Sequence, residues 1–349
     1  MEQKLCVLPE VSIRDAISVL VEGGKKVVFV VSPDQKLLGI MTNGDMRRFL
    51  LTGKSLSLPV TDAMNPHPTV FHSVEDAQAE KSHNAYIVYP IVSPEGILMD
   101  ALFPDEYEAA TQASNTLENV PLVIMAGGKG TRLYPYTKIL PKAIIPIGQY
   151  SIVERIIHSF HKYGCKKVYM ILNHKASIIR AYMSEVDTQC EIDYVQETQF
   201  SGTAGGLCLL EGKLNSTFIL SNCDILINDD LACAYKTHVA QGNAITYICS
   251  MKNYTVPYGI IETTPEGQIR CIKEKPQYSF LANTGVYILE PSVLKEIHAG
   301  EFIHITDLTT RCIEKGMRVG VFPISEKSWL DMGQLDELEH MRQELNVDI

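Results

Sequence analysis

Residues 126–142 read "AGGKGTRLYPYTKILPK", directly after the apolar run Leu122-Val123-Ile124-Met125. A short apolar run closed by glycines predicts a buried strand that empties into a loop. Strand, glycine loop and helix is the order that turns backbone N–H groups toward a phosphate. Counting excludes two common versions. The pattern G-x4-G-K-[ST] fails because Arg132 stands five residues after Gly127, and G-x-G-x-x-G from Gly128 meets Leu133 in place of its third glycine. What remains is G-G-x-G-T-R-L-x-P-x-T-x4-K, from Gly127 to Lys142. Its glycines let the chain pass close to a bulky anion. Arg132 and Lys142 add positive charge ten residues apart, in a stretch stiffened by prolines.

At 349 residues the chain is long for one domain and comfortable for two. Its net charge of −10 argues against general affinity for nucleic acid or an anionic membrane, and leaves room for one cationic pocket. No apolar run approaches the roughly 20 residues of a membrane span. The opening "MEQKLCVLPE" is mixed and charged, unlike a signal peptide, so the expected location is the cytoplasm. Nine scattered cysteines form no C-x-x-C pair, and no H-E-x-x-H occurs among the ten histidines. Reduced thiols, with no structural zinc, are therefore expected.

The N-terminal third repeats itself. "SIRDA" from Ser12 and "SVEDA" from Ser73 share an offset of 61 residues with Val31-Ser32-Pro33 and Val92-Ser93-Pro94. In each copy a serine suited to a helix N-cap precedes a β-branched strand, a Pro-Asp or Pro-Glu turn and another strand. With "GIMTNGDMRRFLLTG", where Thr42 and Asp45 give T-x-x-D, this resembles a pair of CBS domains. The resemblance implies an adenine nucleotide held by Thr42 and Asp45, or a module used for dimerisation. At the same offset the second copy has Phe103 and Glu106, so no more than one such site per chain is expected. Domain boundaries follow: a CBS pair at 1–110 (copies 1–60 and 61–110), a polar linker at 111–120 and a second domain at 121–349.

The stretch from Gly127 to Lys142 closely resembles the signature of the sugar-1-phosphate nucleotidyltransferases, and the likeness extends over the whole second domain. It implies an α/β fold, a Rossmann-like mixed and mostly parallel sheet, preceded by the CBS pair (Bateman domain). On that resemblance Ala126, Gly127, Gly128, Gly130 and Thr131 border the nucleotide. "YVQETQFSGTAGGL" from Tyr194 resembles the second glycine loop, placing Gln196, Gly202 and Thr203 beside the base. Asp224, after the apolar strand Phe218–Leu220, and Asp331, in W-x-D-x-G, would hold Mg²⁺ or Mn²⁺; Asp229 and Asp230 read as helix-capping acids. "YGIIETTPEGQIRCIKEKP" reads as a hairpin. There Tyr258, Gly259, Glu274 and Lys275, with Asn283, Thr284 and Gly285 beyond, would line the sugar-phosphate site.

The implied chemistry joins two polyanions, an NTP and a sugar 1-phosphate. Arg132 would take the leaving pyrophosphate, Lys142 the phosphates at the reacting centre, and Lys275 the nucleophile. No general base is needed, because a sugar phosphate is already ionised at neutral pH. "SGTAGGL" is closest to the G-T-A-G loop of guanylyltransferases, which favours GTP and products such as GDP-mannose, GDP-heptose or GDP-glucosamine for bacterial surface glycans. UTP, CTP and dTTP stay open, as does a non-catalytic sensor that binds nucleotide through the CBS pair. The chain ends soon after Asp331 without hexapeptide repeats, so no acyltransferase domain is expected. A homo-oligomer is expected, with neither nucleic acid nor membrane as partner.

Overall fold

Ser12 starts a helix as the sequence predicts: its Oγ accepts from the Asp15 N–H and caps Ile13–Glu22. The computed structural model describes residues 3–81, 88–103, 115–345 and 347, and divides into units Met1–Ala113 and Ser114–Ile349. In the first unit β1 (Cys6–Val7) runs parallel to β2 (Val27–Val31), which pairs antiparallel with β3 (Leu37–Thr42). A second antiparallel pair joins β4 (Tyr89–Val92) and β5 (Leu98–Leu102). Helices start at Ile13 and Val74, strands end at Val31 and Val92, and the next strands start at Leu37 and Leu98, the spacing of the sequence repeat. Glu106 and residues 104–114 lie outside the described residues.

In the second unit the run ahead of the glycine loop is β6 (Leu122–Ala126). The hairpin β7 (Pro146–Ile147) and β8 (Tyr150–Ser151) follows, then a helix at Ile152–His161 opened by a Ser151–Glu154 capping box. β9 (Lys167–Leu172), β10 (Glu191–Gln196) and β11 (Phe218–Asn222) lie parallel to β6. After β12 (Ile225–Ile227) come the long β13 (Ile245–Thr255), the hairpin β14 (Ile260–Thr263) and β15 (Ile269–Lys273), and β16 (Gln277–Leu289). β17 (Val319–Ile324) and β18 (Trp329–Asp331) complete the strands. The main sheet has the order β10-β9-β6-β11-β16-β13-β17. Only β16 runs against the other six.

β6 reads as a continuous apolar run because both its faces are covered. Leu122 and Ile124 pack with helix 152–161 on one side, whereas Val123 packs on the other with the helix at Ile305–Glu314. Leu122, Val123 and Ile124 are each fully buried, a contribution of about 1.5–3 kcal/mol apiece. The carboxyl ends of β6, β9, β10 and β11 therefore share one edge, the edge at which open α/β sheets bind ligands.

Candidate active site

Four charged residues converge there from distant parts of the chain. Lys142, just past the first loop, forms a close ion pair with Asp224, both side chains largely buried. β12 pairs antiparallel with β18, setting Ile225 opposite Asp331, and the Met332 N–H donates to the Asp224 carbonyl at 2.9 Å. This pairing brings the two aspartates together across more than a hundred residues. One oxygen of Asp331, Oδ1, is buried without a hydrogen-bond partner. Burial, and then the charges of Asp224 and Glu337, push its carboxyl up to about 6, against the opposing pull of Lys142 and Arg132. Arg132 itself is exposed, as are Gly128 and Thr131.

The second loop packs against the neighbouring strand and helix segments. Gln196 is exposed and its amide is spent locally: Nε2 donates to the Glu197 carbonyl at 3.3 Å and Oε1 accepts from Arg180 at 3.4 Å. Gly202, at φ +86°, faces the segment before helix 305–314; a Cβ there would stand 2.4 Å from the Ile303 carbonyl. Thr203 Oγ1 accepts from the Ile305 N–H at 3.0 Å. Gly202 and Thr203 thus dock the loop onto the neighbouring helix.

The buried group at this loop is Glu197. Its side chain lies between the two glycine loops: a Cβ on Gly127 would come within 2.9 Å of Oε2, and one on Gly206 within 2.6 Å of Oε1. Glu197 is 3% exposed; neither carboxylate oxygen has a partner at full hydrogen-bond geometry, and the Ser201 backbone N–H lies close enough to favour the charged form. Burial pushes its carboxyl up, while the nearby Ser201 backbone amide works in the other direction.

At the hairpin, Tyr258, Glu274 and Lys275 are exposed, and Gly259 sits against Glu274, whose Oε2 would be 3.0 Å from a Cβ there. Thr284 is 2% exposed and its hydroxyl donates to the Ile248 carbonyl at 2.6 Å. Asn283 accepts from the Gly285 N–H and donates to the Tyr287 hydroxyl. These contacts, with Gly285 at φ +87°, build the register shift between β13 and β16. Asp230 caps helix Leu231–Gln241 through the Cys233 N–H, as expected.

Residues 122–347 match the family described as nucleotidyl transferase. The chain belongs to that family. UTP–glucose-1-phosphate uridylyltransferase of Synechocystis sp. is 29% identical over 239 residues, 62% of this chain and 60% of its own. Bifunctional protein GlmU of Methanococcus aeolicus is 27% identical over 243 residues, covering 65% and 56%. Mannose-1-phosphate guanyltransferase of Aspergillus fumigatus is 29% identical over 222 residues, covering 61% and 60%. The chain thus spans 56–60% of the length of these relatives. Among solved structures, HddC from Yersinia pseudotuberculosis superposes with a TM-score of 0.50 at 20% identity, over 65% of this chain and 99% of that one. A putative glucose-1-phosphate thymidylyltransferase from Bacillus anthracis gives 0.52 at 23%, over 66% and 96%. At these identities the likeness concerns the fold.

Two carboxylates of this nucleotidyl transferase, Asp224 and Asp331, suit a hard divalent cation. Mg²⁺ usually takes one or two carboxylates and fills its shell with water and phosphate oxygens. An orphaned buried oxygen on Asp331 is the donor such an ion would use. Among the described residues no group of three or more His, Cys, Asp or Glu forms an all-protein cage. None of the described helices is long and apolar enough to cross a membrane.

Thr42 and Asp45, in the first unit, form a capping box. Asp45 Oδ2 accepts from the Thr42 hydroxyl (2.6 Å) and N–H (2.9 Å), and its other oxygen pairs with Arg48.

Proposed function

We propose that the chain transfers a nucleotidyl group from an NTP, GTP by preference, to a sugar 1-phosphate, giving an NDP-sugar and pyrophosphate. The convergence of Arg132, Lys142, Asp224 and Asp331 at one sheet edge carries this reading. A sugar-phosphate oxygen attacks the α-phosphorus, and the bond to the pyrophosphate oxygen breaks in line. Such a transfer needs positioning and charge neutralisation, and no proton removal from the nucleophile. In this assignment Lys142 faces the phosphates at the reacting centre, and Arg132 takes the departing pyrophosphate. Asp224 and Asp331 would hold Mg²⁺, which when bound neutralises charge on the phosphate under attack.

The guanine preference rests on Glu197. An ionised carboxylate only accepts hydrogen bonds, and guanine alone offers two adjacent donors, N1–H and the 2-amino group, on its pairing edge. Pyrophosphate release across GTP, UTP, CTP and dTTP, each with a set of sugar 1-phosphates, tests both parts. Turnover fastest with GTP is expected. Binding of nucleotides without turnover of any pair would favour the sensor reading instead.

Lys275 is assigned to the sugar phosphate alone. Lys275→Ala should therefore weaken sugar-phosphate binding about 10- to 100-fold, the loss of one charge-assisted contact, while NTP affinity holds. Equal losses for both ligands in titration calorimetry would place the lysine elsewhere.

For the first unit we propose one adenine-nucleotide site per chain, with Asp45 receiving the ribose diol in exchange for Arg48. Calorimetry with AMP, ADP and ATP should give at most one site per chain, abolished by Asp45→Ala. No heat with any of the three would leave Thr42 and Asp45 as a helix cap only.

A further inference from the structure

We propose that Lys175 is a positioning residue for the phosphate loop, holding Arg132 and Lys142 in register from the end of β9. The proposal rests on the reading above that this loop binds the triphosphate. Lys175 Nζ donates to three successive carbonyls, Thr137 and Lys138 at 2.8 Å and Ile139 at 3.0 Å. These carbonyls end the one-turn helix Tyr136–Ile139, a length that does not persist unsupported in water. An ammonium at a helix C-terminus satisfies orphan carbonyls and meets the negative end of the dipole. The tie then passes onward. Thr137 Oγ1 donates to the Gly130 carbonyl at 2.9 Å, and a Cβ on Gly130 would lie 2.9 Å from Thr137 Cγ2 and 3.2 Å from Lys142 Cβ. Turn, Gly130 and the Lys142 stem form one packed unit that flanks Arg132.

Local preference argues against a lysine at position 175, which makes its presence informative. The residue is the N-cap of helix Ala176–Met183, where Ser, Thr, Asp or Asn would serve, and its side chain caps nothing there. Its φ of +56° lies in the left-handed region that residues with a Cβ avoid. A cation at a helix N-terminus also opposes the dipole. Three local rules are broken at one residue, and the side chain is given wholly to the loop.

Lys175→Asn separates the two roles, because asparagine tolerates the left-handed region and caps helices while removing the tether. The melting midpoint should hold or rise. GTP affinity should fall about 10-fold and kcat about 100-fold, with affinity for GMP, which lacks the β and γ phosphates, within about twofold. Amide hydrogen exchange should accelerate over residues 131–142 and stay unchanged in β9. Lys175→Met should match it in exchange and kcat, and Lys175→Arg, which keeps charge and donors, should recover most of the activity. Wild-type exchange and GTP affinity in both tether-less variants would overturn the proposal. So would a lower midpoint with equal losses for GTP and GMP, the mark of a general folding role. If the wild-type enzyme turns over no NTP, the proposed reaction falls, and the exchange result alone decides Lys175.

Discussion

Asp331→Asn should leave the metal-free protein as stable as before or raise its melting midpoint by about 2–4 °C, while lowering turnover by about 10²–10³-fold. Asp331 is held at a cost in the ligand-free fold. Its Oδ1 is buried without a partner, and Asp224 and Glu337 both repel its charge. An amide removes the repulsion and keeps the shape. The carboxyl titrates near 6 in the fold against an ordinary value near 3.8, so folding binds the proton more tightly than the open chain does. That contribution to stability is full below about 4 and is lost as the pH rises through 6. The advantage of Asn should accordingly set in as the pH rises above about 4 and be complete above about 6. Asp224→Asn should match it in lost turnover and differ in stability, because it leaves the largely buried Lys142 ammonium without its counter-charge. A destabilisation of about 2 kcal/mol is expected there. Thermal melts in EDTA at pH 5 and pH 8, beside pyrophosphate release with and without Mg²⁺, check all of this. Full metal-free activity in either variant would remove the cation from the mechanism.

That asymmetry between two aspartates shows where the sequence stops being legible. The first loop stands out in the sequence because glycines, prolines and cations sit within one stretch of 17 residues, Ala126 to Lys142. β6 was equally open, its apolar run requiring cover on both faces. The pairing of Asp224 with Asp331 comes from β12 lying against β18, a contact with no trace in spacing. What Gly202 and Thr203 pack against has no trace in the sequence, because glycine and threonine in a loop serve packing and binding alike. Their partners Ile303 and Ile305 lie about a hundred residues away. Thr284 is similar: a hydroxyl inside a strand gives no hint of the register shift that consumes it. The burial of Glu197 is within reach of the sequence pattern. Val195 is buried on β10, and the period of two along a strand carries the same facing to 197, past an exposed Gln196. The capping box at Thr42 and Asp45 is likewise what T-x-x-D does before a helix, whatever else it serves.

Glu197→Gln should then exchange one base for another. When ionised, the Glu197 carboxylate offers two acceptors and no donor, which would match the N1–H and 2-amino donors of guanine. It would set its charge against the carbonyls that flank N3–H in uracil and thymine. A glutamine offers one acceptor and one donor. Against guanine it leaves the 2-amino group facing an N–H, and kcat/KM with GTP should fall about 10²–10³-fold, the scale of an unpaired buried polar contact next to a lost charge-assisted bond. Against uracil or thymine the amide can accept from N3–H and donate to a neighbouring carbonyl, so kcat/KM with UTP or dTTP should rise. Gly127 and Gly206 flank the group and leave no side chain to stand in for either partner. The decisive quantity is the ratio of kcat/KM for GTP to that for UTP, which misfolding alone would not move because it lowers both alike. A ratio unchanged in Glu197→Gln would separate Glu197 from the base. A wild-type ratio below one, with Glu197→Gln lowering UTP turnover further, would assign the carboxylate to holding the two glycine loops apart and return the base preference to other residues.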